Sequence, residues 1–254
     1  MKYTAKYFKE SMPEWKRQKD PTLVRFLTRP LSFPMAALCA NAGINANTVS
    51  IFSTFVGITG CLLFLVNSYI INIIAPFIIL FWLVLDCVDG NLARSVRMQP
   101  YGDYYDSMSS YVLVGLLGVC LGYRAFMDGG VVFVAKNPFI IVIGALASSS
   151  DSLMRLCYQK YRNCSIELEE KGIIKKEKNV WSDHDSTRNI KVRINMELGI
   201  ATLLPILILI FTLLKKLDVV VLYMLLYYGG AFVLLTGVYM RKAWKYRNEL
   251  RKDE

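Results

Sequence analysis

The chain holds one histidine, His184, in a polar stretch with no second ligand residue at metal spacing, so a zinc site built on nitrogen or sulfur has no ligands to draw on. Its six cysteines (Cys39, Cys61, Cys87, Cys120, Cys157 and Cys164) are scattered and form no Cys-x-x-Cys pair, which speaks against a disulfide framework or redox motif and for small apolar residues. No fixed-period repeat and no low-complexity tract occurs, which sets aside solenoids and compositionally disordered chains. A secretory leader is not expected, because more than forty residues rich in Lys, Arg and aromatics precede the first apolar run. Charge is also scarce over long stretches, and those stretches carry the architecture.

Of 254 residues 54% are apolar, too many for a domain whose surface meets water. About 20 apolar residues cross the roughly 30 Å of bilayer hydrocarbon. Runs of that kind lie near 49–68, 69–92, 104–123, 138–157, 196–214 and 219–240. The predicted fold is therefore an all-α integral membrane protein of six transmembrane helices, 49–240, with a cytoplasmic insert at 158–193 and a short tail at 241–254. Residues 1–48 form an N-terminal segment. Within it Thr22 to Asn41 mixes apolar residues with Arg25 and Arg29 and predicts an amphipathic stretch lying on the membrane, with Pro30 and Pro34 breaking or kinking any single long helix.

Of the 30 Lys and Arg, 26 fall in residues 1–48, 93–103, 155–195 and after 240, leaving only Arg124, Lys136, Lys215 and Lys216 for the other side. The positive-inside rule then places both termini and the insert in the cytoplasm, in a multi-pass protein of the plasma membrane. The net charge of +10 is first an orientation signal. Nucleic acid is the weaker reading of it, since juxtamembrane basic residues meet anionic lipid headgroups.

Glycines at 115, 118 and 122 would let a neighbouring helix approach closely, within the chain or in a second copy. Pro76 and Pro205 fall inside spans, where neighbours can re-satisfy freed backbone groups.

The chemistry lies in Asp86-x2-Asp89-Gly90-x2-Ala93-Arg94 at the end of the second span, and Gly102-x3-Asp106-x3-Ser110 at the start of the third. A carboxylate at the bilayer centre costs about 2.5–3.5 kcal/mol, so acids grouped at span ends call for cations or water. On a helix, Asp86, Asp89/Gly90, Ala93 and Arg97 share one stripe. Gly90 leaves that stripe bare for a ligand or another backbone. Asp106 and Ser110 stand one turn apart on the next, antiparallel helix and can face it. Converging oxygen ligands suit Mg²⁺ or Mn²⁺, which complete their shells with water and phosphate. Arg94 has the donor fork for a phosphate oxygen. The alternative is a structural ion-pair network in which Arg94 and Arg97 neutralise the acids.

These residues resemble the signature of the CDP-alcohol phosphotransferases, D-x2-D-G-x2-A-R-x(7,8)-G-x3-D-x3-D, in all but its last position. Asn47-Thr48 resembles the family's Pro-Asn-x-x-Thr only loosely, with Ala46 in place of the proline. The resemblance implies transfer of a phospho-alcohol from a CDP-alcohol, such as CDP-diacylglycerol, to an acceptor hydroxyl, with release of CMP, in phospholipid or surface-glycan synthesis. It implies Mg²⁺ or Mn²⁺ on Asp86, Asp89 and Asp106, a CDP moiety against Gly90, Ala93, Arg94 and Gly102, and a homodimer. Ser110 stands where the family has an Asp that accepts the acceptor's proton, and a serine hydroxyl is far too weak a base for that. A natural divergent transferase, a chain altered at this position, and a protein that binds CDP-alcohols without turnover all remain open. Asp103 is the nearest spare acid, and would reach the site only if the turn folds inward.

A second polar group, Ser148 to Ser152 with Asp151 and Arg155 at i and i+4, ends the fourth span. With Arg193 it could form a basic pocket for a phosphate-bearing acceptor; the alternative is arginines snorkelling to headgroups. A metal-ion transporter with an acidic intramembrane site is the rival of a different class.

Overall fold

The computed structural model describes residues 2–174 and 190–250, with side chains over 2–174 and 193–246. In chain order it holds α1 (Ala5–Glu10), α2 (Glu14–Lys19), α3 (Arg29–Asn41), α4 (Ala46–Leu62), α5 (Tyr69–Ser95), α6 (Gly102–Asp128), α7 (Phe139–Glu170), α8 (Ile190–Leu198), α9 (Leu203–Leu213), α10 (Leu217–Met224) and α11 (Gly230–Leu250). No strand occurs among the described residues. Six stretches are long and apolar enough to cross a membrane: Ala46–Leu65, Tyr69–Ser95, Gly102–Asp128, Phe139–Glu170, Arg193–Leu213 and Leu217–Tyr246. The protein is thus an all-α, six-helix, multi-pass membrane protein.

The ends differ from the hydropathy boundaries for local reasons. The first span begins at Ala46 because Asn45 caps it, its Oδ1 accepting the Thr48 N–H at 2.9 Å, and Gly43, at φ 74°, closes α3 just before. The fourth helix does not stop at 157 but runs to Glu170, so the first part of the 158–193 insert is its continuation. Lys175 to Lys178 and His184, expected in a solvated loop, lie outside the described residues. The fifth span is interrupted at 199–202, ahead of Pro205 in the first turn of α9.

Pro30 and Pro34 do not break the N-terminal segment. A π-turn at Val24–Thr28 lets the Arg29 N–H reach the Val24 carbonyl, Pro30 falls in the first turn of α3 where no backbone donor is needed, and Pro34 stays within that helix. This segment packs on the bundle by one face: Phe8, Ala36 and Ala37 join Val49, Leu85 and Val88 in a buried cluster. Its other face leaves Phe26 and Leu38 exposed, the amphipathic division expected of a membrane-surface element.

The main core gathers Trp82, Leu113, Leu117, Leu121, Ile140 and Ile208 from α5, α6, α7 and α9. Gly118, Gly122 and Gly144 bring α6 and α7 together within one chain: a Cβ on Gly118 would stand 2.5 Å from the Gly144 carbonyl oxygen, and one on Gly122 2.9 Å from that of Ile140. The small-residue pair is therefore used inside the monomer. All six cysteines are free; Cys61, Cys87 and Cys120 are buried and the others half-buried.

Candidate functional site

The end of α5 and the start of α6 enclose a cavity of about 410 Å³ whose wall includes Asp89, Gly90, Ala93, Arg94, Gly102 and Asp106. Residues of one sequence motif, carried by two antiparallel helices, thus meet around one space. Helix α4 closes it with Asn47 and Ser50. Asn47 Nδ2 donates to the Pro100 carbonyl at 2.9 Å and ties the α5–α6 turn down, while its buried Oδ1 has no partner among the described residues. Tyr101, at φ 58°, turns the chain into α6 in the left-handed region.

Asp89 is 4% exposed, and its Oδ2 accepts the Ser50 hydroxyl at 2.6 Å. Asp106 is exposed to the cavity. Asp86 does not line the wall, but its side chain comes within hydrogen-bonding reach of Asp106. Two carboxyl groups so close call for a shared proton or cation between them. Arg94 folds back over Gly90: a Cβ there would lie 2.9 Å from Arg94 Nη2, which also donates to Asn91 Oδ1 at 3.4 Å. Arg97, placed on the acidic stripe by helical spacing, lies beyond the helix, which ends at Ser95.

Ser110 does not line the cavity; its hydroxyl donates to the Ser107 carbonyl at 2.9 Å. Asp103, in the first turn of α6, does line it and adds a further carboxylate to the wall. Among the described residues no three His, Cys, Asp or Glu side chains converge closely enough to hold a metal by themselves. The set nonetheless fits Mg²⁺ or Mn²⁺, which use one or two carboxylates and take their remaining ligands from water and substrate phosphates.

The N-terminal segment supports this site in a way periodicity does not reveal. Arg29 is 6% exposed and pairs with Asp20 through Nε at 2.8 Å and Nη2 at 3.0 Å. Its Nη1 donates to the Cys87 carbonyl and to Asn91 Oδ1, each at 3.3 Å, and Asn91 Nδ2 donates to Ser32 at 2.9 Å. Burial opposes the Arg29 charge, yet its surroundings, Cys87, Asp20 and Asp86 among them, hold its pKa above the usual guanidinium value. The clamp grips α5 between Asp86 and Arg94. Lys16, 3.2 Å from Asp20, lies near enough to Asp86 and Asp106 to act on both electrostatically. Ser50, Asp20, Arg29 and Lys16 carry no motif signal; only their contacts identify them.

The Asp151–Arg155 pair forms as its spacing predicts, Arg155 Nε to Asp151 Oδ2 at 2.6 Å, and borders a second cavity of about 370 Å³. Arg193 is exposed and does not line it. The two arginines therefore do not make one basic pocket: the break at 199–202 ends α8, and the wall there is built by Asn195, Met196 and Gly199 instead. Ser148 is a helix–helix link, donating to the Val114 carbonyl at 2.9 Å. No protein-family model and no curated protein matches the chain.

Proposed function

We propose that this protein transfers a phospho-alcohol group from a CDP-alcohol to an acceptor hydroxyl, releasing CMP, at the cytoplasmic face of the plasma membrane. The observation that carries the proposal is the gathering of Asp89, Gly90, Ala93, Arg94, Gly102 and Asp106 around one cavity, in the order and spacing that resemble the CDP-alcohol phosphotransferase signature. Asp86 and Asp106 would hold Mg²⁺ or Mn²⁺ with Asp89 beside them, and the bound cation would supply charge for the attacked diphosphate and the departing CMP. Gly90 leaves room for the nucleotide, and Arg94, already folded over it, can turn its fork to a phosphate oxygen. Ser50 holds the Asp89 carboxylate in place. Asp103 is the carboxylate available to take the acceptor's proton, since it faces the cavity and Ser110 does not.

A second reading has an observation of its own. With the Ser110 hydroxyl turned to its own backbone, the position that bears the base in the resembled family contributes nothing to the cavity, which suits a protein that binds CDP-alcohols without turning them over.

The test is CMP release by purified full-length protein given CDP-diacylglycerol or other CDP-alcohols, a panel of hydroxyl acceptors, and Mg²⁺ or Mn²⁺. Metal-dependent CMP that chelation abolishes supports transfer. Silence with every donor, persisting in Ser110→Asp, together with metal-dependent CDP binding supports the second reading. Silence and no CDP binding rejects both.

A further inference from the structure

One turn deeper in the bundle than the acids runs a line of buried polar side chains that no motif contains. Trp82 stands four residues before Asp86 on α5, Ser109 three residues after Asp106 on α6, and Ser50 and Ser53 lie one turn apart on α4. All four are at most 2% exposed. The Trp82 Nε1–H donates to Ser109 Oγ at 2.8 Å, the Ser109 and Ser53 hydroxyls meet at 2.7 Å, and the Ser53 hydroxyl donates to the Ser50 carbonyl at 2.8 Å. The Ser50 hydroxyl in turn holds Asp89.

The direction of each bond follows from the donors present. An indole N–H can only donate, and a serine has one proton to give. Ser53 spends its own on the Ser50 carbonyl, so the Ser109 hydroxyl donates to Ser53 Oγ; the reverse would leave the Ser109 proton with no acceptor among the described residues. The donors therefore run one way, from α5 to α6 to α4, each bond polarising the next.

The line also has no room to shift. A Cβ on Gly57 of α4 would lie 3.2 Å from Trp82 Cδ1 and 3.3 Å from Leu113 Cδ1, so the indole is wedged between α4 and α6. Because α5 and α6 are antiparallel, the Trp82–Ser109 bond is the rung next to the one at which Asp86 and Asp106 face each other, one turn or about 5.4 Å away. It sets the gap between those two acids, and Ser53 carries the same constraint to the helix that holds Asp89.

Ion size is what such a gap decides. Mg²⁺ demands near-octahedral oxygens at about 2.0–2.1 Å, whereas Ca²⁺ accepts looser shells at about 2.3–2.6 Å. Carboxylates free to spread take the larger ion readily; carboxylates held at a fixed gap do not. We propose that Trp82, Ser109 and Ser53 are positioning residues that fix the spacing between the acids of α5 and Asp106 of α6, and so make the site select a small divalent ion over a large one. This role rests on the divalent-ion site of the function proposed above and not on the transfer step.

The experiment is Mn²⁺ binding by full-length protein in phosphatidylcholine nanodiscs, read from the electron paramagnetic resonance of the free ion against empty discs, with displacement by Mg²⁺ or Ca²⁺. Mg²⁺ should displace Mn²⁺ from the unsubstituted chain at lower concentration than Ca²⁺ does. Ser109→Ala and Ser53→Ala each remove one hydroxyl of the line and should reduce that preference about tenfold, the scale on which groups that orient metal ligands act. Alanine favours helix, and Ser53→Ala, which leaves the Trp82–Ser109 bond in place, carries the test if Ser109→Ala does not fold. Ser148→Ala is the control: it removes a buried hydroxyl that ties α6 to α7 through the Val114 carbonyl and the Gly118 N–H, and should leave the preference unchanged. No Mn²⁺ bound above empty discs removes both this role and the metal-dependent function. Mn²⁺ binding with Ca²⁺ preferred, or with the Mg²⁺ preference intact in both line variants, overturns this role alone, as does an equal shift in Ser148→Ala. A shifted preference in a protein that releases no CMP removes the transfer reaction and leaves the positioning role standing.

Discussion

At Asp103 and Ser110 the local geometry reverses what sequence position suggests. Ser110 occupies the place of the base in the resembled signature, yet its hydroxyl is spent on the Ser107 carbonyl, while Asp103, three residues before Asp106, faces the cavity. If Asp103 draws the acceptor proton, Asp103→Asn lowers kcat for CMP release by about 10²–10⁴-fold with KM for the CDP-alcohol little changed, the usual worth of a positioned base. Steady-state kinetics over a range of donor concentrations decides it, and an Asp103→Asn enzyme of full activity excludes the role. Gly90 offers a complementary check that separates binding from folding. A Cβ there meets only the far end of Arg94, a flexible side chain, and alanine is about 1 kcal/mol better than glycine inside a helix. Gly90→Ala is therefore expected to leave the thermal midpoint unchanged or slightly raised while weakening CDP binding by about tenfold, the cost of a tight contact in a fitted site. Thermal unfolding and calorimetry on the same sample measure both.

At the scale of the element, the N-terminal segment is a brace as well as a surface helix. Its apolar and basic mixture gave reason to expect a stretch lying on the membrane, but the Asp20–Arg29 pair, with Arg29 bonded to Cys87 and Asn91, holds the part of α5 that carries the acids. Removing one partner of a buried pair leaves an uncompensated charge, at about 3–5 kcal/mol. Asp20→Ala should lower resistance to denaturant by that amount and reduce CDP affinity as well. A variant as stable as the parent would show that the pair contributes no net stability. Two spans carry local irregularities. The fifth is interrupted at 199–202, and the sixth stays helical but widens into a π-turn at Leu225–Gly229; residues of both stretches line the second cavity. Hydropathy averages over some twenty residues and cannot register a one-turn fault.

At the scale of the whole molecule, six crossings put both ends of the chain, the α5–α6 turn and the first cavity on one side. From the distribution of Lys and Arg we propose that this side is the cytoplasm. In a background without native cysteines, Lys136→Cys should react with an impermeant maleimide added to intact cells and Lys171→Cys only after permeabilisation; the opposite pattern inverts the orientation. Close packing of α6 on α7 through Gly118, Gly122 and Gly144 accounts for the small residues within one chain, so a homodimer rests on the family resemblance alone.

The sequence by itself determined the six spans, the single-sided charge and the pairing of an acidic helix end with an acidic helix start. Each is a local or periodic property: length of apolar run, count of cations, spacing along a helix. What only the tertiary structure decided is which distant residues complete the sites. Ser50 meets Asp89 across 39 positions and Arg29 meets Asn91 across 62. Asp103 lines the first cavity, and Arg193 stays out of the cavity that Arg155 borders. Contacts of that kind depend on how helices cross and where they break, which is set by packing of the whole bundle rather than by any pattern along one segment.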